Sequence, residues 1–191
     1  MRFPAVLWMA LCMLLSACAS HHGIVIESGD RYSTQAAEIG DYRLGSGDKV
    51  RMTVFNEPTL SGEFAVNSDG TVSLPLIGDL PAAGKRVTEL ASQAQQMFAG
   101  GYLREPRVSM EITTYRPFFI LGEVKSPGQY PYATGMTVLN AVATAQGFTP
   151  RAEKSLVYIR RAGAAEEEAY RLTPEIRVFP GDTIRLGERY F

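Results

Sequence analysis

From Tyr42 onward the apolar residues fall in short runs that alternate with polar ones and stop at Gly, Pro or Asp-Gly. In "GDKVRMTVF", Val50, Met52 and Val54 alternate with Lys49, Arg51 and Thr53. A period of two is the mark of a strand with one face buried and the other wet. "EFAVNSDGTVSLPLIG" predicts strand, turn, strand, because Asp69-Gly70 tolerates the positive φ angles of a tight hairpin. Pro75 cannot donate to a ladder, so its strand is expected at an edge or with a bulge. "RVSMEIT" alternates through Val108, Met110 and Ile112, and "PFFILGEV", "GQYPY", "SLVYIRR" and "DTIRLGER" read as further strands.

Two helices interrupt this pattern. Thr88 can cap the first, with Leu90, Ala94, Met97 and Phe98 on one face and Gly100-Gly101 as its end. Thr137 can cap the second, with Leu139, Val142 and Ala143 inward and Gly147 as its stop. Both stripes are core patterns. The expected fold class is α+β, in two small β-rich units drawn from about 150 residues. "LGSGDKVRMTV" near the start of this region and "VFPGDTIRLGE" near its end share a Gly-Asp followed by alternating apolar residues. That echo is either structural or the ordinary fitness of Gly-Asp for a turn before a strand.

Ahead of Tyr42 the chain is of another kind. Arg2 precedes an apolar run from about Phe3 to Leu15, which is shorter than the ~20 residues of a bilayer span and fits a secretory signal. The run ends in Leu15-Ser16-Ala17-Cys18, which resembles a bacterial lipobox: cleavage between Ala17 and Cys18, with lipid attached to Cys18. The alternative is an ordinary signal peptide with an incidental Cys18. Cys12 follows Leu11, too bulky for the cleavage position. Acyl chains contribute about 0.8 kcal/mol per buried methylene, so two or more anchor stably. Ala19 stands where an Asp would mark inner-membrane retention, so the resemblance implies the outer membrane. Residues 1–17 are expected to be the signal and 18–41 a flexible lipidated tether, in which His21-His22 is a solvated pair.

Composition excludes several functions. With residues 1–17 removed, the 20 carboxylates slightly outnumber the basic residues, which argues against a nucleic-acid partner. Both histidines and both cysteines lie before Tyr42, so the folded region can build no Ser-His-Asp, Cys-His or histidine-ligated zinc site. No P-loop occurs, and no G-x-G-x-x-G follows a strand. Glu166-Glu167-Glu168 in "GAAEEEAY" has the composition of an exposed loop or hairpin tip. No enzyme, cofactor or metal is expected.

The stretch "YRLGSGDKVRMTVFNEPTLSGEFAVNSDGTVSLPLIG" resembles the opening of the bacterial outer-membrane polysaccharide export (Wza-type) family. "VTELASQAQQMFAGGYLREPRVSMEI" continues that pattern. "ILGEVKSPGQYPYATGMTVLNAVATAQGFTPRAEKSLVYIRR" is similar to the soluble-ligand-binding β-grasp (SLBB) module that follows it. The resemblance implies an export domain over 42–114, a β-grasp domain over 115–172 and a strand segment over 173–191 closing the fold. It implies an outer-membrane lipoprotein facing the periplasm. Its copies would form a cyclic ring or conduit for exopolysaccharide or capsular polysaccharide, with an inner-membrane copolymerase as partner.

Two departures from the family pattern stand out. Gln146 replaces a usual glycine, so Gln146 is expected in an ordinary helical conformation with Gly147 alone taking the turn. After Pro180 the given sequence carries no amphipathic helix, and Arg185, Glu188 and Arg189 suit no lipid-facing strand. A separate outer-membrane β-barrel partner is therefore expected. Tyr115, Phe118, Phe119, Tyr130 and Tyr132 are the candidates for contact with polysaccharide or a neighbouring protomer, with core packing as the competing role. The rival reading is a monomeric periplasmic lipoprotein that binds a soluble ligand through its β-grasp module.

Overall fold

The computed structural model describes residues 25–26 and 42–189. Cys18, Ala17 and His21-His22 lie outside them. The α+β expectation holds: the described residues form mostly strands, with two helices and two separate hydrophobic cores.

The first core belongs to residues 44–112. Strand β2 (Lys49–Val54) is central, paired antiparallel with β3 (Gly62–Ala65) and β6 (Val108–Thr114). Its alternation places Val50, Met52 and Val54 inward, all buried. Helix α1 (Val87–Ala99) covers that face with Leu90, Ala94 and Phe98, whose full burial contributes about 1.5–3 kcal/mol for each larger side chain. A hairpin of β4 (Thr71–Leu74) and β5 (Gly78–Pro81) completes the unit.

Two expectations here need correction, and a third needs its boundary moved. The α1 N-cap is Arg86, whose N–H donates to Glu89, so Thr88 lies inside the first turn. Met97 is exposed, because position 98 and not 97 continues the 90–94 stripe toward the sheet. Pro75 is not inside a strand: it directly follows β4, which is an edge strand of a two-stranded sheet, as expected for the strand beside it. It ends β4 and opens the turn to β5, in which Leu76 adopts a φ of 67°.

The second core lies within residues 118–186. A six-stranded sheet runs in the order β1-β10-β9-β11-β7-β8. Its strands are β1 (Val25–Ile26), β7 (Phe118–Gly122), β8 (Gly128–Tyr130), β9 (Leu156–Arg160), β10 (Glu168–Arg171) and β11 (Thr183–Leu186). Strand β11 lies between β7, to which it is parallel, and β9, to which it is antiparallel. Helix α2 (Val138–Thr144) packs on one face through Val138, Ala141 and Val142. Thr137 caps it as expected, accepting from the Asn140 N–H at 3.3 Å.

Leu139 is half-buried and Ala143 exposed, because this short helix turns the 138–141–142–145 face inward. Gln146 is not helical: its φ is 66°, so it shares the left-handed turn with Gly147. The N–H of Gly147 reaches back to the Val142 carbonyl at 2.8 Å, a closure that satisfies an orphan carbonyl at the helix end. The Gln146 side chain is exposed. Glu166 and Glu167 lie at the tip between β9 and β10, and Glu168 opens β10.

The tether expectation also changes. Val25 and Ile26 form β1, parallel to β10 in register with Ala169 and Tyr170, so part of the leader belongs to the second sheet.

Candidate functional site

The two cores meet where two Gly-Asp turns face one another. In the first, the Asp48 N–H donates to the Gly45 carbonyl at 3.1 Å and Gly47 takes a φ of 94°. In the second, the Asp182 N–H donates to the Phe179 carbonyl at 3.1 Å and Gly181 takes a φ of 85°. Each carboxylate also accepts the N–H three residues back, from Gly45 or Phe179, at 2.8 Å. The sequence echo is therefore a repeated turn, and Asp48 and Asp182 are the buried charged residues of the described chain.

Arg116 joins the turns. Its N–H donates to Asp48 Oδ1 at 2.7 Å, and its Nε donates to the Pro180 carbonyl at 3.0 Å. Glycine makes the room: a Cβ on Gly181 would stand 2.8 Å from the Arg116 Nε, and one on Gly45 would overlap its guanidinium. Arg161 forms an ion pair with Asp182 and lies over the Phe179 ring at 4.9 Å.

A file of tyrosines crosses the same junction. Tyr42 and Tyr115 meet edge to face with centroids 5.0 Å apart, and Tyr115 meets Tyr132 likewise at 5.4 Å. The Tyr42 hydroxyl donates to Asp48 Oδ2 at 2.7 Å, and burial followed by that carboxylate pushes its pKa up. Burial also raises the Tyr132 hydroxyl. For Asp182, burial raises the carboxyl against the opposing pull of Arg161 and the Phe179 and Ala162 amides.

The expected aromatic set thus divides. Tyr115 and Tyr132 come together at the junction with Tyr42, which sequence reasoning missed. Phe118 is fully buried and Tyr130 stacks on it at 6.0 Å, its hydroxyl donating to the Ser126 carbonyl at 2.7 Å, so both are core residues. Phe119 points the other way and is exposed. Among the described residues no His, Cys, Asp and Glu group of three or more could hold one metal ion.

Residues 36–113 match the family of polysaccharide biosynthesis/export proteins, and residues 117–172 match the SLBB domain, together well over half of the chain. The chain belongs to the polysaccharide export family. Tyr115 and Arg116 of this export protein fall between the two matches. It is 40% identical over 125 residues to the exopolysaccharide production protein ExoF of Rhizobium meliloti, a match to 58% of the chain and 29% of that relative. It is 26% identical over 155 residues to the EPS I polysaccharide export outer membrane protein EpsA of Ralstonia nicotianae, covering 66% of the chain and 40% of the relative. Over 112 residues it is 26% identical to the polysialic acid transport protein KpsD of Escherichia coli, covering 58% of the chain and 20% of the relative. The chain matches well under half the length of each of these relatives.

Proposed function

We propose that this export protein is an outer-membrane lipoprotein, anchored through Cys18 after cleavage behind Ala17. Its copies form a periplasmic ring that guides exopolysaccharide or capsular polysaccharide outward. The observation that carries the reading is the order of the two matched domains, export then SLBB, in a chain similar to proteins named for exopolysaccharide production and polysaccharide export. The junction supports it physically. A conduit wall must keep its units in register, and Arg116 ties the first turn to the second through main-chain and side-chain bonds.

The work of the protein is conduction, with energy supplied by an inner-membrane copolymerase. Tyr115 and Tyr132 are its candidate saccharide contacts, as half-buried rings that offer edges and faces to sugar C–H groups. Among the described residues no helix is long and apolar enough to cross a membrane. Strand β11 buries Ile184 and Leu186 in the second core, so it is used by the fold and not by a bilayer. The reading leaves the last step, across the outer membrane, to a separate β-barrel partner.

Deletion of the gene tests the reading. Surface polysaccharide should vanish while lipid-linked precursor remains, and Cys18→Ser should end fatty-acid labelling. Normal surface polysaccharide in a deletion strain without a paralogue would overturn the export role.

A further inference from the structure

Ile176 and Val178 are buried, and Arg177 between them turns its side chain away from the core. This strip is laced to the start of α2. The Val138 N–H donates to the Ile176 carbonyl at 2.8 Å, and the Val178 N–H donates to the Met136 carbonyl at 3.0 Å. Arg177 itself bridges Thr137, and its carbonyl accepts from Arg161 Nη1 at 3.3 Å. The backbone under the Arg177 side chain is therefore held on both sides. Its guanidinium lies beside Tyr132. A Cβ on Gly135 would stand 3.8 Å from Arg177 Nη1, and the Gly135 N–H and Arg177 both oppose the rise that burial causes in the Tyr132 hydroxyl.

Three arginines gather here against two buried carboxylates. Arg116 serves Asp48 and the Pro180 carbonyl, and Arg161 pairs with Asp182. The Arg177 guanidinium has no hydrogen bond or ion pair among the described residues. Those residues leave one positive charge at the junction without a counter-charge, next to the half-buried rings of Tyr132 and Tyr115. A guanidinium is a planar fork that holds a carboxylate by two parallel hydrogen bonds. Aromatic rings offer an apolar surface to sugar C–H groups. A neutral sugar can use only the rings, whereas an acidic sugar uses both.

We infer that the junction reads an acidic polysaccharide, with the carboxylate of a uronic-acid residue on Arg177 and its sugar ring against Tyr132 and Tyr115. The inference rests on the export reading, in which those tyrosines are saccharide contacts. It adds the class of sugar and the residue that selects it. A single fork in each protomer also suits transport, because a conduit needs contacts favourable enough to admit the chain and weak enough to release it.

The test titrates the full lipidated chain in detergent at physiological salt with two probes. One is an oligogalacturonide, and the other is the same oligomer with its carboxyl groups reduced to alcohols. Wild type should bind the acidic oligomer about tenfold more tightly than the reduced one, as a charge-assisted contact implies. Arg177→Gln should erase that preference, leave binding of the reduced oligomer unchanged and keep the melting temperature, since no protein partner is lost. Tyr132→Ala should weaken binding of both oligomers. Equal affinity of wild type for the two, no binding of either, or a preference that survives in Arg177→Gln overturns the acidic site. None of those results touches the export role, which fails only if a deletion strain without a paralogue keeps its surface polysaccharide.

Discussion

The two Gly-Asp turns share a backbone and differ in what surrounds the carboxylate. Asp48 is saturated: Oδ2 takes the Gly45 amide and the Tyr42 hydroxyl, Oδ1 takes the Arg116 amide, and the Arg116 guanidinium stands 3.8 Å away. Asp182 has the Phe179 amide and Arg161 on Oδ2, while its buried Oδ1 has no hydrogen bond of good geometry. A repeated local motif can thus be fully satisfied in one domain and strained in the other. The turn is local, but the satisfaction of its carboxylate comes from residues far along the chain.

The largest test of that contrast is alanine at each aspartate. Asp48→Ala strands a buried hydroxyl and two amides and should cost about 3–5 kcal/mol in denaturant unfolding. Asp182→Ala should cost about half as much, since it also removes a charge that burial disfavours. Equal losses would mean the two sites are equivalent after all. Next come the glycines. Gly47→Ala meets nothing nearer than the Arg116 Cβ at 3.6 Å, so only its left-handed φ should count, at about 1–2 kcal/mol. Gly181→Ala adds contacts at 2.8 Å with Arg116 and 3.0 Å with Ala162, and should cost roughly 1 kcal/mol more.

Arg116→Met probes the tie between the turns. The main-chain bond to Asp48 survives while the bond to the Pro180 carbonyl goes, so the loss should be about 1–2 kcal/mol. Calorimetry should then resolve one melting transition into two. A single unchanged transition would show that the domains are coupled elsewhere.

The smallest effect is the pH dependence of Asp182. Its folded-state pKa is raised, so the folded chain holds this proton more tightly than the unfolded chain. The stabilisation is present at low pH and is lost as pH rises from the ordinary aspartate value through the raised one. The wild-type stability minus that of Asp182→Asn should therefore decline across that window and be flat above it. A difference that grows with pH would reverse the assignment.

Much of this was legible in sequence. Strands β2, β6, β7, β9 and β11 follow from period-two alternation, and the Thr137 cap follows from residue type. Boundaries decided by tertiary packing were not. Thr88 and Arg86 are both near a helix start, and only the Glu89 bond to the Arg86 amide selects between them. Strand β10 was hidden because its segment is polar and its partners are β9 and the two-residue β1. Gln146 shows that a helix end can impose a left-handed φ on a residue that would not choose it. The role of Arg116 was beyond reading, because its bonds span 68 and 64 positions of sequence.

The position of β11 governs the order in which the second domain can be finished. A chain threaded from its N-terminus delivers β7, β8, β9 and β10 before residues 183–186, yet β7 and β9 touch only through β11. Until those residues arrive, the incoming polypeptide holds two separate hairpins with an open slot between them. Residues 42–114 emerge earlier and their strands pair only with one another, so the first sheet can form while the second waits. During that interval the slot exposes two unpaired strand edges, which is when a chaperone would have the most to protect.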